Sequence, residues 1–116
     1  MKMTPYKAWD VFRLHGDGVE HEIAYADDRN QAKYKVLNHE CKTDGELTND
    51  PDIEYLDLSA RRLKVCDGLG DEPLSIVAET AIKKADWVWT MDGVEYTADD
   101  ISDEESLEEF KSLFDE

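Results

Sequence analysis

Apolar and polar residues alternate near the start of the chain, and this period of two predicts strands at Lys7 to His15 and Val19 to Ala26. Asp17-Gly18 between them suits the positive φ angles of a tight turn, so the two strands are expected to form a hairpin. With Asp17-Gly18 as the two-residue loop, Gly16 pairs with Val19, His15 with Glu20 and Leu14 with His21. That register puts Phe12, Leu14, His21, Ile23 and Tyr25 on one face, expected to meet the core. Trp9, Val11, Arg13, His15, Glu20 and Glu22 share the other face.

The pattern then lengthens to a helical period. Asp27 or Asp28 is placed to cap a helix from Arg29 to about Glu40, with Tyr34, Leu37 and Cys41 on one stripe and Ala32 and Val36 beside it. Residues 42–52 read as a polar loop. Ile53 to Val65 alternates as a strand, with a parity break that predicts a bulge near Ser59-Ala60. Asp67-Gly68-Leu69-Gly70-Asp71 is a turn. Leu74 to Lys84 predicts a helix with Leu74, Val77, Ala78, Ala81 and Ile82 inward, although Leu74-Ser75-Ile76-Val77 also fits a strand.

A second hairpin is expected at Trp87 to Thr97, closed by Asp92-Gly93, with Trp87, Trp89, Met91, Val94 and Tyr96 on one side. Ser102-Asp103-Glu104-Glu105 has the form of a capping box. Leu107, Phe110, Leu113 and Phe114 follow at helical spacing, so the C-terminus reads as an amphipathic helix. Together these elements predict one α+β domain over residues 1–116. Two Asp-Gly hairpins and a central strand would form an antiparallel sheet, with two or three helices including an acidic one at 99–116.

Composition agrees with a folded chain: 41% of the 116 residues are hydrophobic, enough for a core. Charge changes the picture more. Twenty-nine acidic against 13 basic residues give a net charge of −16, which disfavours direct binding to nucleic acid or to an anionic membrane and favours cationic partners. Residues 99–116 hold nine acids and one base, half of the net charge. No apolar run reaches the roughly 18 residues of a membrane span, so a cytoplasmic location is expected. Cys41 and Cys66 lack the dense spacing of a disulfide scaffold and read as free thiols.

If residues 99–116 were all helical, their nine carboxylates would lie along about 27 Å, one per roughly 3 Å. One DNA strand offers a phosphate about every 3.4 Å. The first-turn acids Asp103, Glu104 and Glu105 also have a local explanation, because the helix dipole favours them there.

Other chemistry finds little support. His15, His21, His39, Cys41 and Cys66 are able ligands, but their spacing matches no zinc motif. Asp44, Glu46, Asp50, Asp52 and Glu54 fail the EF-hand pattern. No nucleophile elbow or phosphate-binding loop is present, so no cofactor, metal or enzymatic activity is expected. Arg61-Arg62 reads as an internal partner for nearby carboxylates.

Trp9-Asp10-Val11-Phe12, Asp27-Asp28-Arg29-Asn30-Gln31-Ala32-Lys33-Tyr34, Glu54-Tyr55-Leu56-Asp57 and Arg61-Arg62 occur in that order. The order resembles small phage and prophage proteins of unassigned function, in which a hairpin precedes an "AKY" helix and a strand ending in paired arginines. In size and charge the chain also resembles the DNA mimics that block host defence nucleases, including anti-CRISPR and anti-restriction proteins. These resemblances imply an inhibitor in the host cytoplasm that engages a host protein's basic nucleic-acid-binding surface. The expected contact residues are Asp99, Asp100, Asp103, Glu104, Glu105, Glu108 and Glu109. The alternative is an accessory or assembly protein that binds its partner through an apolar patch around Trp9 and Val11. A homodimer that doubles the acidic surface is compatible with either.

Overall fold

Strand-forming alternation, helix caps and turns divide the chain into two compact units, Met1–Asp71 and Glu72–Glu116. The computed structural model describes residues 5–15, 18–43, 45, 47–91 and 93–115. Among these, three α-helices and five antiparallel strands make an α+β fold, as the sequence predicts.

In the first unit, β1 (Ala8–His15) pairs with β2 (Gly18–Tyr25) and, on its other edge, with β3 (Ser59–Arg62), in the order β2-β1-β3. The hairpin register differs from expectation by two residues: Leu14 pairs with Val19 and His15 with Gly18. The connection therefore falls on residues 16 and 17, which lie outside the described residues, as does the Asp17 half of the expected turn. A two-residue shift preserves side-chain parity, so the two groups of face-sharing residues survive. It also brings Arg13 opposite Glu20, where the two form an ion pair at 2.5 Å.

The core, however, is built on the other face. Trp9, Val11 and Ala24 pack with Ala32, Val36, Leu47 and Leu58 under α1 (Arg29–Leu37). On the face expected to be the core, Ile23 and Tyr25 are buried, Phe12 and His21 are half-buried and Leu14 is 77% exposed. Small Ala32 and Val36 let α1 lie close to the sheet and are its buried residues; Leu37 and Cys41 pack against the same core at its margin, whereas Tyr34 is 53% exposed. Tyr34 instead sits against Tyr55, ring centroids 4.9 Å apart. Asp28 is the cap, accepting from the Gln31 amide at 2.8 Å, and the helix stops before the left-handed His39 rather than at Glu40.

Only Ser59–Arg62 of the expected Ile53 to Val65 strand is strand. Upstream, Glu54 and Asp57 close a reciprocal capping box that turns Tyr55–Asp57 into a 3-10 helix, and Lys64–Cys66 forms another. Strand pairing thus begins where a bulge was expected. The 42–52 loop is not wholly solvated, since Leu47 and Thr48 are buried. Arg61 and Arg62 behave as predicted: Arg61 bonds Asp10 at 2.9 Å and Arg62 pairs with Asp67.

In the second unit, α2 (Leu74–Ala85) turns Val77, Ala78, Ala81 and Ile82 inward, which settles this segment as helix. A short hairpin follows, β4 (Trp89–Met91) and β5 (Val94–Tyr96), in a sheet separate from the first. Its register, Trp89 opposite Tyr96 and Met91 opposite Val94, is the one a loop at Asp92-Gly93 requires, although Asp92 lies outside the described residues. Gly93 has φ +81°, which glycine adopts without strain. The last helix, α3 (Glu104–Ser112), is continued by a 3-10 turn at Leu113–Asp115. Ala78, Ile82, Ile101 and Phe110 form the core, against which Trp87, Trp89, Tyr96, Leu107 and Phe114 pack.

Candidate functional site

The acidic segment is ordered by its own apolar residues. Phe110 points into the core, where its ring lies 5.3 Å from Phe114 and 5.0 Å from Tyr96, and Leu107 is half-buried one turn earlier. Burying that stripe fixes the opposite side of α3 outward, so Glu104, Glu105, Glu108 and Glu109 are exposed. The helix is shorter than residues 99–116. Residues 99–101 form a turn, and the N-cap is Asp103, not Ser102.

Asp99, Asp100 and Asp103 are exposed as well, but two of them have structural duties. Asp103 accepts from the Ser106 amide at 3.0 Å, which lowers its pKa below the usual aspartate value. Asp100 accepts from the Thr97 amide and hydroxyl, both at 2.9 Å. Ser102, the expected cap, donates instead to the Asp99 carbonyl at 2.9 Å. The seven carboxylates named from the sequence are thus all exposed, Asp99 and Asp100 in the turn before α3, Asp103 at its cap and the four glutamates on the helix.

Where the unit's cations go decides what that surface presents. Residues 72–116 contain 14 acids and three bases, a net charge of −11, whereas residues 1–71 contain 15 and ten, a net −5. Two of the three bases, Lys83 and Lys111, converge on Glu79 of α2 at 3.3 and 2.7 Å. Burial pushes the Glu79 pKa up, yet hydrogen bonds from Lys111 and Lys83 outweigh it and leave the pKa below the ordinary glutamate value. Among the described residues, none of the seven surface carboxylates has an ion-pair partner. The four glutamates of α3 lie in two adjacent pairs, Glu104-Glu105 and Glu108-Glu109, over about 7.5 Å of helix axis.

Trp9 lies elsewhere. It is 7% exposed, its indole N–H donates to the Ala26 carbonyl at 2.9 Å, and the guanidinium groups of Arg29 and Arg62 lie 6.0 and 5.4 Å from its ring. Val11 is fully buried. These two residues are core, so no surface patch is centred on them.

Two further sites escaped the sequence reading. Glu22 is 1% exposed, and its carboxylate accepts from the Thr43 hydroxyl at 2.5 Å, the Gly45 amide at 2.9 Å and the Thr48 amide at 3.1 Å. It ties Thr43, Gly45 and Thr48 to β2. Asp10, equally buried, bonds Arg61 and lies 2.8 Å from the His21 ring nitrogen Nδ1. Sequence spacing gave no sign of either, since each partner set comes from distant segments.

An open cavity of 870 Å³ in the first unit is bordered by Tyr25, Gln31, Lys35, Cys41 and Lys42. Burial pushes the Cys41 thiol up, and the thiol donates to the Thr43 carbonyl at 2.9 Å, so it is held protonated and is a poor nucleophile near neutral pH. Among the described residues, no group of three His, Cys, Asp or Glu is placed to hold a metal ion, and no helix is long and apolar enough to cross a membrane. Comparison with protein-family models, curated proteins and solved structures finds no match.

Proposed function

We propose that this protein is a phage-type inhibitor that binds the basic nucleic-acid-binding surface of a host defence protein by acidic mimicry of DNA or RNA. The observation that carries this reading is the exposed carboxylate array Asp99, Asp100, Asp103, Glu104, Glu105, Glu108 and Glu109. Its four glutamates stand on a helix anchored by Phe110, and among the described residues none of its carboxylates has an ion-pair partner. A surface that served solubility alone would not need its acids concentrated in one unit. Carboxylates held on an ordered helix meet Lys and Arg side chains without the entropy loss of ordering a tail.

The test is capture from host lysate on the immobilised protein at low salt, followed by elution with a duplex oligonucleotide. The expected result is that captured proteins are released by the oligonucleotide and by salt. A variant with Glu104, Glu105, Glu108 and Glu109 changed to Lys, shown to be folded by circular dichroism, should capture none of them. Equal capture by that variant would sink the mimicry reading. Trp9 and Val11 are buried, so an apolar patch centred on them is not open to a partner.

A further inference from the structure

Beside the outer face of α3 runs a groove of 330 Å³, formed wholly within the second unit by β5 and α3. Its floor is apolar: Tyr96 and Leu113 are half-buried, with Phe110 packed behind Tyr96. Val94, 51% exposed, extends that wall toward solvent. Its rim is acidic, made by Glu95, Asp100 and Glu109, and no Lys, Arg or His lines it.

We propose that this groove is a socket for one long cationic side chain, Lys or Arg, from the basic surface of the partner protein. The inference rests on the mimicry reading and deepens it by naming an anchor. An apolar floor beneath a charged rim suits an amphipathic side chain, whose methylene stem covers Tyr96 and Leu113 while its head reaches the carboxylates. The Tyr96 ring carries negative quadrupole density on its face, which favours a cation over an anion. Phosphate, nucleotide and carboxylate ligands would meet three like charges and no counter-charge. The volume lies at the small end of the roughly 300–1,000 Å³ range of ligand sites, suited to a side chain rather than a large cofactor.

The test titrates the 15N-labelled full chain with acetyl-Gly-Arg-Gly-amide and with its neutral citrulline counterpart. Amide shifts are expected at Glu95, Tyr96, Phe110 and Leu113 with the arginine peptide. Binding should be about fivefold weaker with the citrulline peptide and in a Glu95→Gln/Glu109→Gln variant. A Glu40→Gln/Asp52→Asn variant, which loses the same charge from the first unit, should bind as the parent does. Asp100 is left unchanged because it caps Thr97. Shifts spread evenly over the outer face of α3, equal response to citrulline, or equal weakening in both variants would overturn the socket. Each would leave the mimicry reading to be judged by oligonucleotide elution. Spermidine that gives the same shifts at lower concentration than the peptide would also overturn it, in favour of a free polyamine.

Discussion

At the scale of single residues, the feature with most consequence for the fold is a carboxylate that the charge pattern would assign to solvent. Glu22 is one of 29 acids, yet it is buried and satisfied by donors at Thr43, Gly45 and Thr48. Glu22→Ala would strand those donors and is expected to cost about 2–4 kcal/mol. A urea midpoint that implied less than about 1 kcal/mol would mean that water replaces the carboxylate. Gly45 offers an independent probe, because a Cβ there would stand 2.8 and 3.0 Å from the two Glu22 oxygens. Gly45→Ala should therefore destabilise the parent more than it destabilises Glu22→Ala, a coupling that a double-mutant cycle measures. Cys66 gives a check on the same unit's core. Burial pushes its thiol up to about 11, so alkylation near neutral pH should follow unfolding and should not precede it.

At the scale of elements, α2 shows how a helix end and an ion pair can be tested separately. It ends in a left-handed residue, Asp86 at φ 57°, and the Asp86 and Trp87 amides both return to the Ala81 carbonyl, the latter at 3.2 Å. Glycine is favoured at that position, and an acid there opposes the negative end of the helix dipole. Asp86→Gly is expected to raise stability by about 1 kcal/mol, read as a higher thermal midpoint. The Glu79 pair acts through pH. Its folded pKa lies below the unfolded value, so its contribution is full above the ordinary glutamate range and is lost as pH falls through the folded pKa. Glu79→Gln should flatten the decline in stability on acidification, and an unchanged slope would show that Lys83 and Lys111 contribute little.

Elements also mark where sequence reading succeeds. Parity in the N-terminal hairpin is legible because a two-residue slip leaves it intact, while the register is set by contacts such as Arg13 with Glu20. The choice of core face was not legible, because it depends on α1 packing through Ala32 and Val36, which an apolar count ranks below Tyr34. The Ile53 to Val65 alternation misled because Glu54 and Asp57 bond each other's backbone, a local preference that defeats a strand. At the acidic surface, Leu107 and Phe110 made the exposed side of α3 readable. The groove beside it was not, since β5 and α3 meet only in the fold.

At the scale of the whole molecule, charge acts on folding and on binding with opposite signs. A net −16 on 116 residues makes the folded state repel itself, and most of that excess lies in residues 72–116. Raising ionic strength shortens the screening length from about 30 Å at 0.01 M to about 8 Å at 0.15 M, which relieves repulsion among exposed carboxylates. The thermal midpoint should therefore rise with added sodium chloride. Attachment to a basic partner should fall over the same range, because each phosphate-like contact is weakened by the same screening. The charge-reversed variant of Glu104, Glu105, Glu108 and Glu109 separates the two effects: four Lys for four Glu change the net charge from −16 to −8. Its midpoint should depend less on salt, and its partner binding should be lost at every salt concentration. If the parent's midpoint rises with salt while its binding does not weaken, the acidity serves the state of the chain itself and the inhibitor reading fails.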